Sequence, residues 1–221
     1  VRCWGRNDSG QLGRGDTSDA LEPVSVDIPD AVDIATGVNH TCAVLTSGGV
    51  RCWGANERGQ LGSPPAGFEP MPVTVPGITT AVSVTAGYAH TCVTLANASV
   101  RCWGANDSGQ LGNNTRTDSS VPVRPTTATV KAVTAGVFHT CALLADGSVS
   151  CWGANDYGQL GEATTTDRLT PTPLALTGAV SLSAGAQGIS GGTGFEPIVS
   201  WSTAVRRGGT VGHGSTLRLD W

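Results

Sequence analysis

A repeat of 49 to 50 residues runs through the sequence and limits its possible folds more than any other feature. The tripeptide Cys-Trp-Gly recurs along the chain, and each copy is followed by Gly-Gln-Leu-Gly. The tripeptide begins at Cys3, Cys52, Cys102 and Cys151, and the tetrapeptide ends at Gly13, Gly62, Gly112 and Gly161. A period of this length is typical of propeller blades and other stacked repeats, in which each unit buries its faces against its neighbours.

Each repeat contains four short segments rich in valine, threonine and other strand-forming residues. The first such set spans residues 23–26, 31–35, 40–45 and 50–54. A proline recurs at the start of the connecting strand (Pro23, Pro72, Pro122 and Pro171). Because proline has no N–H to donate, it must be either the first residue of a strand or part of an edge strand. Alternation within the 40–54 hairpin puts small or apolar side chains on both faces, so the sheet must be covered on both sides. We therefore predict an all-β propeller with four-stranded blades of about 50 residues.

The predicted domain is a single partial propeller over residues 1–221. Its predicted parts are the end of a truncated blade at 1–30, repeats at 31–79, 80–129 and 130–177, and a degenerate terminal repeat at 178–221. In this last repeat the glycine-rich stretch 188–194 replaces an apolar strand, so we expect it to be poorly formed.

Six of the seven cysteines form three pairs with one spacing, Cys42/Cys52, Cys92/Cys102 and Cys141/Cys151. In the third pair the turn Ala145-Asp146-Gly147 predicts a three-residue hairpin loop, which places residues opposite each other when their numbers sum to 292. The two cysteines of each pair then face each other across adjacent strands, at a separation that a disulfide spans. We predict three disulfides, each stabilising the fold by about 2 to 3 kcal/mol.

Two alternatives compete with disulfides. Buried free thiols would be the usual state in the cytosol, whereas a metal site needs a closer cysteine spacing than any in this sequence. Cys3 aligns with Cys52, and a partner would lie ten residues before it, which makes Cys3 unpaired by truncation. Paired cysteines favour an extracellular, cell-surface or periplasmic location, and because Val1 enters in mid-repeat, an export signal would lie upstream.

The charge balance argues against nucleic acid as a partner. The net charge is −4, and no cluster of lysine and arginine is larger than Arg206-Arg207. A nucleic-acid-binding protein would show a basic stripe. No apolar run is long enough to span a membrane.

The repeated aromatic and polar residues have structural interpretations. We predict that the tryptophans of the repeats, Trp4, Trp53, Trp103, Trp152 and Trp201, form the core between blades. His40, His90 and His139 would either form a metal-binding ring or, as we prefer, lock neighbouring blades together. The asparagines that begin Asn-Asp/Glu-x-Gly-Gln-Leu-Gly predict an Asx-type turn rather than a calcium loop. We expect no metal, no cofactor and no catalytic residue.

The motifs x-His-Thr-Cys-Ala-Leu, Val-x-Cys-Trp-Gly-Ala-Asn and Gly-Gln-Leu-Gly resemble the regulator of chromosome condensation repeat, strongly over residues 1–176 and weakly over 177–221. The resemblance implies a propeller, usually seven-bladed, whose loops contact a protein on one face, so this chain would be a fragment of such a ring. Its cysteines are similar to those of an exported bacterial branch of the family. Family members include a GTPase exchange factor that docks on nucleosomes and a secreted β-lactamase inhibitor. The exchange factor's wedge-like insertion has no match here.

We predict a non-catalytic protein-binding module of an exported or cell-surface repeat protein, which binds through connectors at 14–22, 63–69, 113–120 and 162–169. The candidate contacts with this unidentified partner protein are Arg14, Asp16, Phe68, Glu69, Arg116, Asp118, Asp167 and Arg168. One alternative is a propeller hydrolase or lyase with its site in missing sequence. Another is an intracellular regulator of GTPase exchange or chromatin binding, which the paired cysteines disfavour.

Overall fold

The computed structural model describes residues 1–185 and the backbone of residues 203–207. In this part of the chain the regular elements are strands. They are β1 Arg2–Gly5, β2 Ala20–Ser25, β3 Ala31–Thr36, β4 His40–Leu45, β5 Val50–Asn56, β6 Ala66–Thr74, β7 Ala81–Ala86, β8 His90–Leu95, β9 Val100–Gly104, β10 Ser119–Val123, β11 Val130–Ala135, β12 His139–Leu144, β13 Val149–Gly153, β14 Arg168–Pro173, β15 Ala179–Ala184 and β16 Thr203–Arg207. No helix in the described residues is both long and apolar enough to cross a membrane.

The strands form antiparallel sheets in chain order, one for each repeat. The first blade is β3-β4-β5-β6, the second is β7-β8-β9-β10 and the third is β11-β12-β13-β14. The partial sheets β1-β2 and β15-β16 precede and follow them. The first strands of successive sheets lie against one another, as the innermost strands of a propeller do. The predicted all-β propeller is confirmed, and the described sheets do not close into a ring.

The hairpin register agrees with the arithmetic of the loop. Cys141 lies directly opposite Cys151, and the equivalent cysteines face each other in the first and second blades. The structure contains the disulfides Cys42–Cys52, Cys92–Cys102 and Cys141–Cys151, each with a Cα–Cα distance of 4.1 Å. All six cysteines are fully buried. A short loop fixes this register locally, which explains why the sequence alone predicts it.

The core lies between blades rather than within one. Trp103 of the second blade packs against Val44 and Leu61 of the first, and Trp152 of the third packs against Leu111 of the second. The indole N–H of each buried tryptophan donates to the backbone oxygen of a glutamine in the preceding repeat. These bonds are Trp53 to Gln11 at 2.8 Å, Trp103 to Gln60 at 2.9 Å and Trp152 to Gln110 at 2.9 Å.

The prediction that Trp4 belongs to this core is wrong. Its side chain is 62% exposed, whereas Trp53, Trp103 and Trp152 are fully buried. Each buried tryptophan is covered by the repeat before it, and no described residues form such a repeat beside Trp4. Trp201 lies outside the described residues.

The prolines lie on the outer strand of each sheet. Pro72, for example, lies in β6, which pairs only with β5, and the register shifts between Cys52 and Gly54. An edge strand tolerates the missing N–H because it has no second neighbour to bond. In the terminal repeat, β16 pairs with β15 as β12 pairs with β11, and residues 188–194 lie outside the described residues.

Candidate functional site: the connector face

Two sets of loops emerge at one end of the blades. The first set links the first and second strands, and we call these loops (37–39, 87–89 and 136–138) the inner turns. The second set links the third strand to the outer strand and includes Gly-Gln-Leu-Gly, and we call these loops (6–19, 57–65, 105–118 and 154–167) the outer connectors. Because neighbouring strands are antiparallel, both sets lie on the same face, the connector face. The hairpin loops 46–49, 96–99 and 145–148 lie on the opposite face, the hairpin face.

A fully buried asparagine holds each outer connector in place. The side-chain oxygen of Asn106 accepts the N–H of Leu111 at 2.9 Å, and its side-chain nitrogen donates to the carbonyl oxygens of Thr115 and Thr117, both at 3.0 Å. Asn7, Asn56 and Asn155 accept the equivalent leucine N–H. The asparagine oxygen bonds to a residue five positions later, and the asparagine nitrogen bonds to the far side of the connector. These hydrogen bonds extend further along the chain than those of the predicted Asx-type turn.

An aspartate twelve residues after the asparagine closes three of the four connectors. The side chains of Asp19, Asp118 and Asp167 accept the backbone N–H of Asn7, Asn106 and Asn155 at 2.8 to 2.9 Å. The first blade has Phe68 at this position, and β5 and β6 instead continue pairing as far as Asn56 and Ala66. Phe68 is consequently 46% exposed on an edge strand, without the structural role that the aspartates have.

Arginines connect the outer connectors of successive blades. Arg58 of the first blade forms ion pairs with Asp107 and Asp118 of the second. Arg116 of the second blade donates to the Asp107 carbonyl oxygen at 2.5 Å and forms an ion pair with Asp167 of the third blade at 3.0 Å. Partial burial of Asp118 opposes ionisation, but its hydrogen bonds from Arg58 and Asn106 and the Arg58 charge outweigh this effect and lower its pKa.

A histidine and a threonine connect the blades beneath the inner turns. The His40 Nε2 lies 3.0 Å from the Thr91 hydroxyl of the next blade, and that hydroxyl donates to the Gln60 carbonyl oxygen at 3.0 Å. His90 and Thr140 repeat this contact at 3.0 Å. Because the hydroxyl proton is already donated, Nε2 of each histidine must carry a proton to donate. The histidines therefore join blades, as the preferred interpretation predicts.

Burial keeps these imidazoles neutral. Desolvation lowers the pKa of His40 to about 4. Desolvation, followed by the charges of His40 and His139, lowers the pKa of His90 to about 3. The buried Nδ1 atoms of His40 and His90 accept no hydrogen bond. A protonated ring would need a second acceptor that this packing does not supply, so protonation opposes folding.

Glycines bring the inner turns close together. A Cβ on Gly37 would overlap the His40 ring and the carbonyl oxygen of Gly87, and a Cβ on Gly87 would overlap the His90 ring and the carbonyl oxygen of Gly136. The two residues after each glycine carry side chains that differ from turn to turn. Among them, Val38 is 52% exposed and Tyr88 is 46% exposed.

The structure brings some of the predicted contact residues together and separates others. Arg116 and Asp167 form the cross-blade pair, whereas Arg14 pairs with Asp16 within its own connector and Arg168 pairs with Glu162. Asp118 caps Asn106, Phe68 is exposed and Glu69 is half-buried on the same strand. Whether any of these residues contacts a partner stays a prediction.

Sequence reasoning missed several residues of this face, namely Arg58, Asp107, Val38 and Tyr88. The Arg58–Asp118 pair joins residues sixty positions apart, and no local pattern indicates it. A signal for the inner turns was present, because the Gly-x-x-His spacing recurs while the two residues inside it change.

Successive four-stranded sheets, joined through their inner strands and by cross-blade tryptophan and histidine contacts, define a partial β-propeller made of repeats of about 50 residues. The sequence profile described as "Regulator of chromosome condensation (RCC1) repeat" matches residues 2–44, 47–94, 99–143 and 146–194. A second profile of the same description matches 31–60, 81–110 and 130–159. The chain belongs to the regulator of chromosome condensation repeat family.

Similar structures and sequences are longer than this chain. Human WBSCR16 is 25% identical with a TM-score of 0.75, over 84% of this chain and 51% of that protein. Prp20p of Saccharomyces cerevisiae is 22% identical with a TM-score of 0.74, over 85% of this chain and 50% of that protein, which shows a shared fold. The Arabidopsis thaliana ultraviolet-B receptor UVR8 is 45% identical over 51 residues, which are 22% of this chain and 12% of the receptor. This chain thus spans about half the length of the structures it matches.

Proposed function

We propose that this chain is a non-catalytic protein-binding module of an exported or cell-surface repeat protein, and that it binds its partner through the connector face. The observation that carries the proposal is the continuous cross-linking of this face. Arg58 and Arg116 join the outer connectors of three successive blades, and buried asparagines hold each connector from below. A rigid face loses little conformational entropy when a partner binds, which favours affinity.

Related propellers support protein binding as the function. Yeast RCC1 (Prp20) forms a complex with Kap60, and binding of Prp20p to Gsp1p and histones has been characterised. Those proteins share the fold with this chain at 21% and 22% identity, so their partners are not transferred to it. What they support is the use of this scaffold as a binding surface.

The disulfides support an oxidising compartment. All three are fully buried, and each joins the central hairpin of a blade. Such bonds form and persist in exported proteins and are rare in the cytosol. When the protein is isolated from its native source under denaturing conditions and alkylated without reductant, the six cysteines of these three disulfides should not react. Seven reactive thiols would contradict export.

Site-specific photo-crosslinking tests the binding face directly. A benzophenone amino acid replaces Phe68, Tyr88 or Tyr157 on the connector face. In the matched controls it replaces Asp27 or Thr127 beside the hairpin face. All five positions are exposed. After irradiation of the full protein in its native cells, we expect protein adducts from the connector-face positions and none from the controls. Adducts only from the controls, or none at any position, would overturn the proposal.

A further inference from the structure

Four apolar side chains lie on the inner turns of the connector face, and two of them, Tyr88 and Phe138, are in ring contact. We call Val38, Tyr88, Val137 and Phe138 the inner-turn patch. The Tyr88 and Phe138 ring centroids are 5.3 Å apart, and the Tyr88 N–H donates to the Val137 carbonyl oxygen at 2.9 Å. Val38 and Tyr88 are about half exposed, and Val137 and Phe138 are partly so. Neighbouring exposed apolar side chains are typical of interaction sites, whereas single ones are common on any protein surface.

The backbone beneath the patch is closely packed, whereas the fold does not determine the side chains of the patch itself. Gly37, Gly87 and Gly136 pack too closely against their neighbours to accept a side chain. The histidines that follow are fully buried. The two positions between glycine and histidine hold Val-Asn, Tyr-Ala and Val-Phe in the three turns, so their residue types differ. Ala89 is buried, whereas Val38 and Tyr88 are about half exposed. The blades therefore do not explain why Tyr88 and Val38 are apolar.

Two exposed acidic residues, Glu57 and Asp156, each lie two residues after a backbone N–H that hydrogen bonds to an inner turn. The Ala154 N–H donates to the Phe138 carbonyl oxygen at 2.8 Å, which places Asp156 two residues from that contact. The Ala55 N–H donates to the Asn39 carbonyl oxygen at 2.8 Å, and Glu57 likewise lies two residues from that contact. Both carboxylates are exposed, and among the described residues neither forms an ion pair.

The connector face as a whole carries more acidic residues than arginines. Its loops carry nine acidic residues and four arginines, and every one of these arginines is already paired with a carboxylate of the face. The acidic residues are Asp8, Asp16, Asp19, Glu57, Asp107, Asp118, Asp156, Glu162 and Asp167. A potential of this sign attracts cations and repels acidic partners.

We infer that the inner-turn patch binds a segment of a partner protein in which an apolar or aromatic side chain is flanked by lysine or arginine. The apolar side chain contacts Tyr88 and Val38, and the flanking cations face Glu57 and Asp156. The inference rests on the proposed function and names the partner's chemistry. A second copy of the chain is disfavoured as the occupant, because two copies of this face would bring carboxylates against carboxylates.

A labelled peptide tests this chemistry. The probe is a fluorescein-labelled peptide with a Leu-Trp-Leu centre flanked on both sides by Lys-Arg, titrated with the full chain and followed by fluorescence anisotropy. Its controls have Asp-Glu flanks around the same centre, or a Ser-Gly-Ser centre between the same flanks. We expect saturable binding of the first peptide, weakened by salt, and much weaker binding of both controls.

Variants then locate the contact. Tyr88→Ser should weaken binding roughly tenfold, whereas Tyr88→Phe, which keeps the ring beside Phe138, should stay within about threefold. Val38→Ser provides a second, independent probe of the patch. Glu57→Lys and Asp156→Lys should each weaken binding roughly fivefold, mainly by slowing association, and Asp27→Lys beside the hairpin face should leave it unchanged. Equal thermal unfolding midpoints establish that the variants are folded.

Several results would overturn the inference. Equal affinity for the acidic-flanked peptide would refute the charge argument, and full binding by both Tyr88→Ser and Val38→Ser would refute the patch. Salt-dependent dimerisation of the chain that Tyr88→Ser abolishes would identify a second copy as the occupant. Photo-crosslinks from Phe68 or Tyr157 without any from Tyr88 would refute this inference while leaving the proposed function intact.

Discussion

The inner turns and the outer connectors share one face of the molecule but use their side chains in opposite ways. In the outer connectors, charged residues hold the blades together, as Arg58 does with Asp118 and Arg116 with Asp167. In the inner turns, glycine backbones and buried histidines do this work, and side chains such as Tyr88 extend into solvent. The most variable and most charged loops are therefore the ones most occupied with the fold itself.

This comparison shows why sequence variability is an incomplete indicator of a binding surface. Exposed charged residues in a loop suggest partner contacts. However, a side chain that already has an intramolecular partner must give it up before it binds another. The inner turns require no such exchange, since the exposed parts of Val38 and Tyr88 lose only water on binding. The two regions should accordingly respond in opposite ways to substitution of frame and side chain.

Substitution of an inner-turn glycine should have the largest effect. A Cβ at position 87 overlaps the His90 ring and the Gly136 carbonyl oxygen, so Gly87→Ala should lower the free energy of unfolding by about 4 kcal/mol. Gly67→Ala on β6 is the matched control, since a Cβ there meets nothing within 4 Å, and it should change stability by less than about 1 kcal/mol. Urea unfolding with the disulfides intact measures both, and similar losses would remove the distinction between the regions.

Acid should weaken the molecule through the histidines beneath the inner turns. Their folded pKa values of about 4 for His40 and about 3 for His90 lie below the ordinary 6.5, so the unfolded chain binds protons first. Stability is complete above about pH 6.5 and falls as the pH decreases towards the folded values. Together, His40 and His90 should lower the free energy of unfolding by about 3 kcal/mol as the pH falls from about 7.5 to about 5.5.

Urea unfolding across this pH range tests the expectation, with His90→Gln as the comparison. That variant should be less stable at every pH, but its stability should depend on pH with a slope smaller by about one proton. An unchanged slope would show that the pH dependence arises elsewhere.

The asparagine beneath an outer connector should matter somewhat less. Asn106→Ala removes the acceptor for the Leu111 N–H and the donors for two connector carbonyls, and should cost about 2 kcal/mol because these groups are left unpaired. Asn39→Ala is the inner-turn counterpart, and its half-exposed side chain has no such bonds, so we expect almost no change. Thermal unfolding of both variants provides the measurement, and an equal loss in Asn39→Ala would contradict the assignment of the hydrogen bonds.

What the sequence predicts well is local. The disulfide register follows from one short loop, and the strands follow from composition and the repeat, because these features are set by residues close in the chain. The error at Trp4 has the same origin, since its motif is intact but burial depends on a neighbouring repeat about 50 residues away. The Arg58–Asp118 pair and the exposed Tyr88 also depend on how blades are placed side by side. No pattern within one repeat encodes that placement.

The smallest expected effect is that of the cross-blade ion pair at the outer connectors. Arg116 is half exposed, so water screens its attraction to Asp167, and Arg116→Gln should lower the free energy of unfolding by only about 0.5 kcal/mol. Arg6→Gln, which breaks a fully local and more exposed pair with Asp8, should have no measurable effect. A double-mutant cycle on Arg116 and Asp167 at low and high salt isolates the interaction. A coupling as large as the effect of Gly87→Ala would mean that the outer connectors, rather than the inner turns, hold the blades in position, and the two regions would then exchange the roles assigned to them.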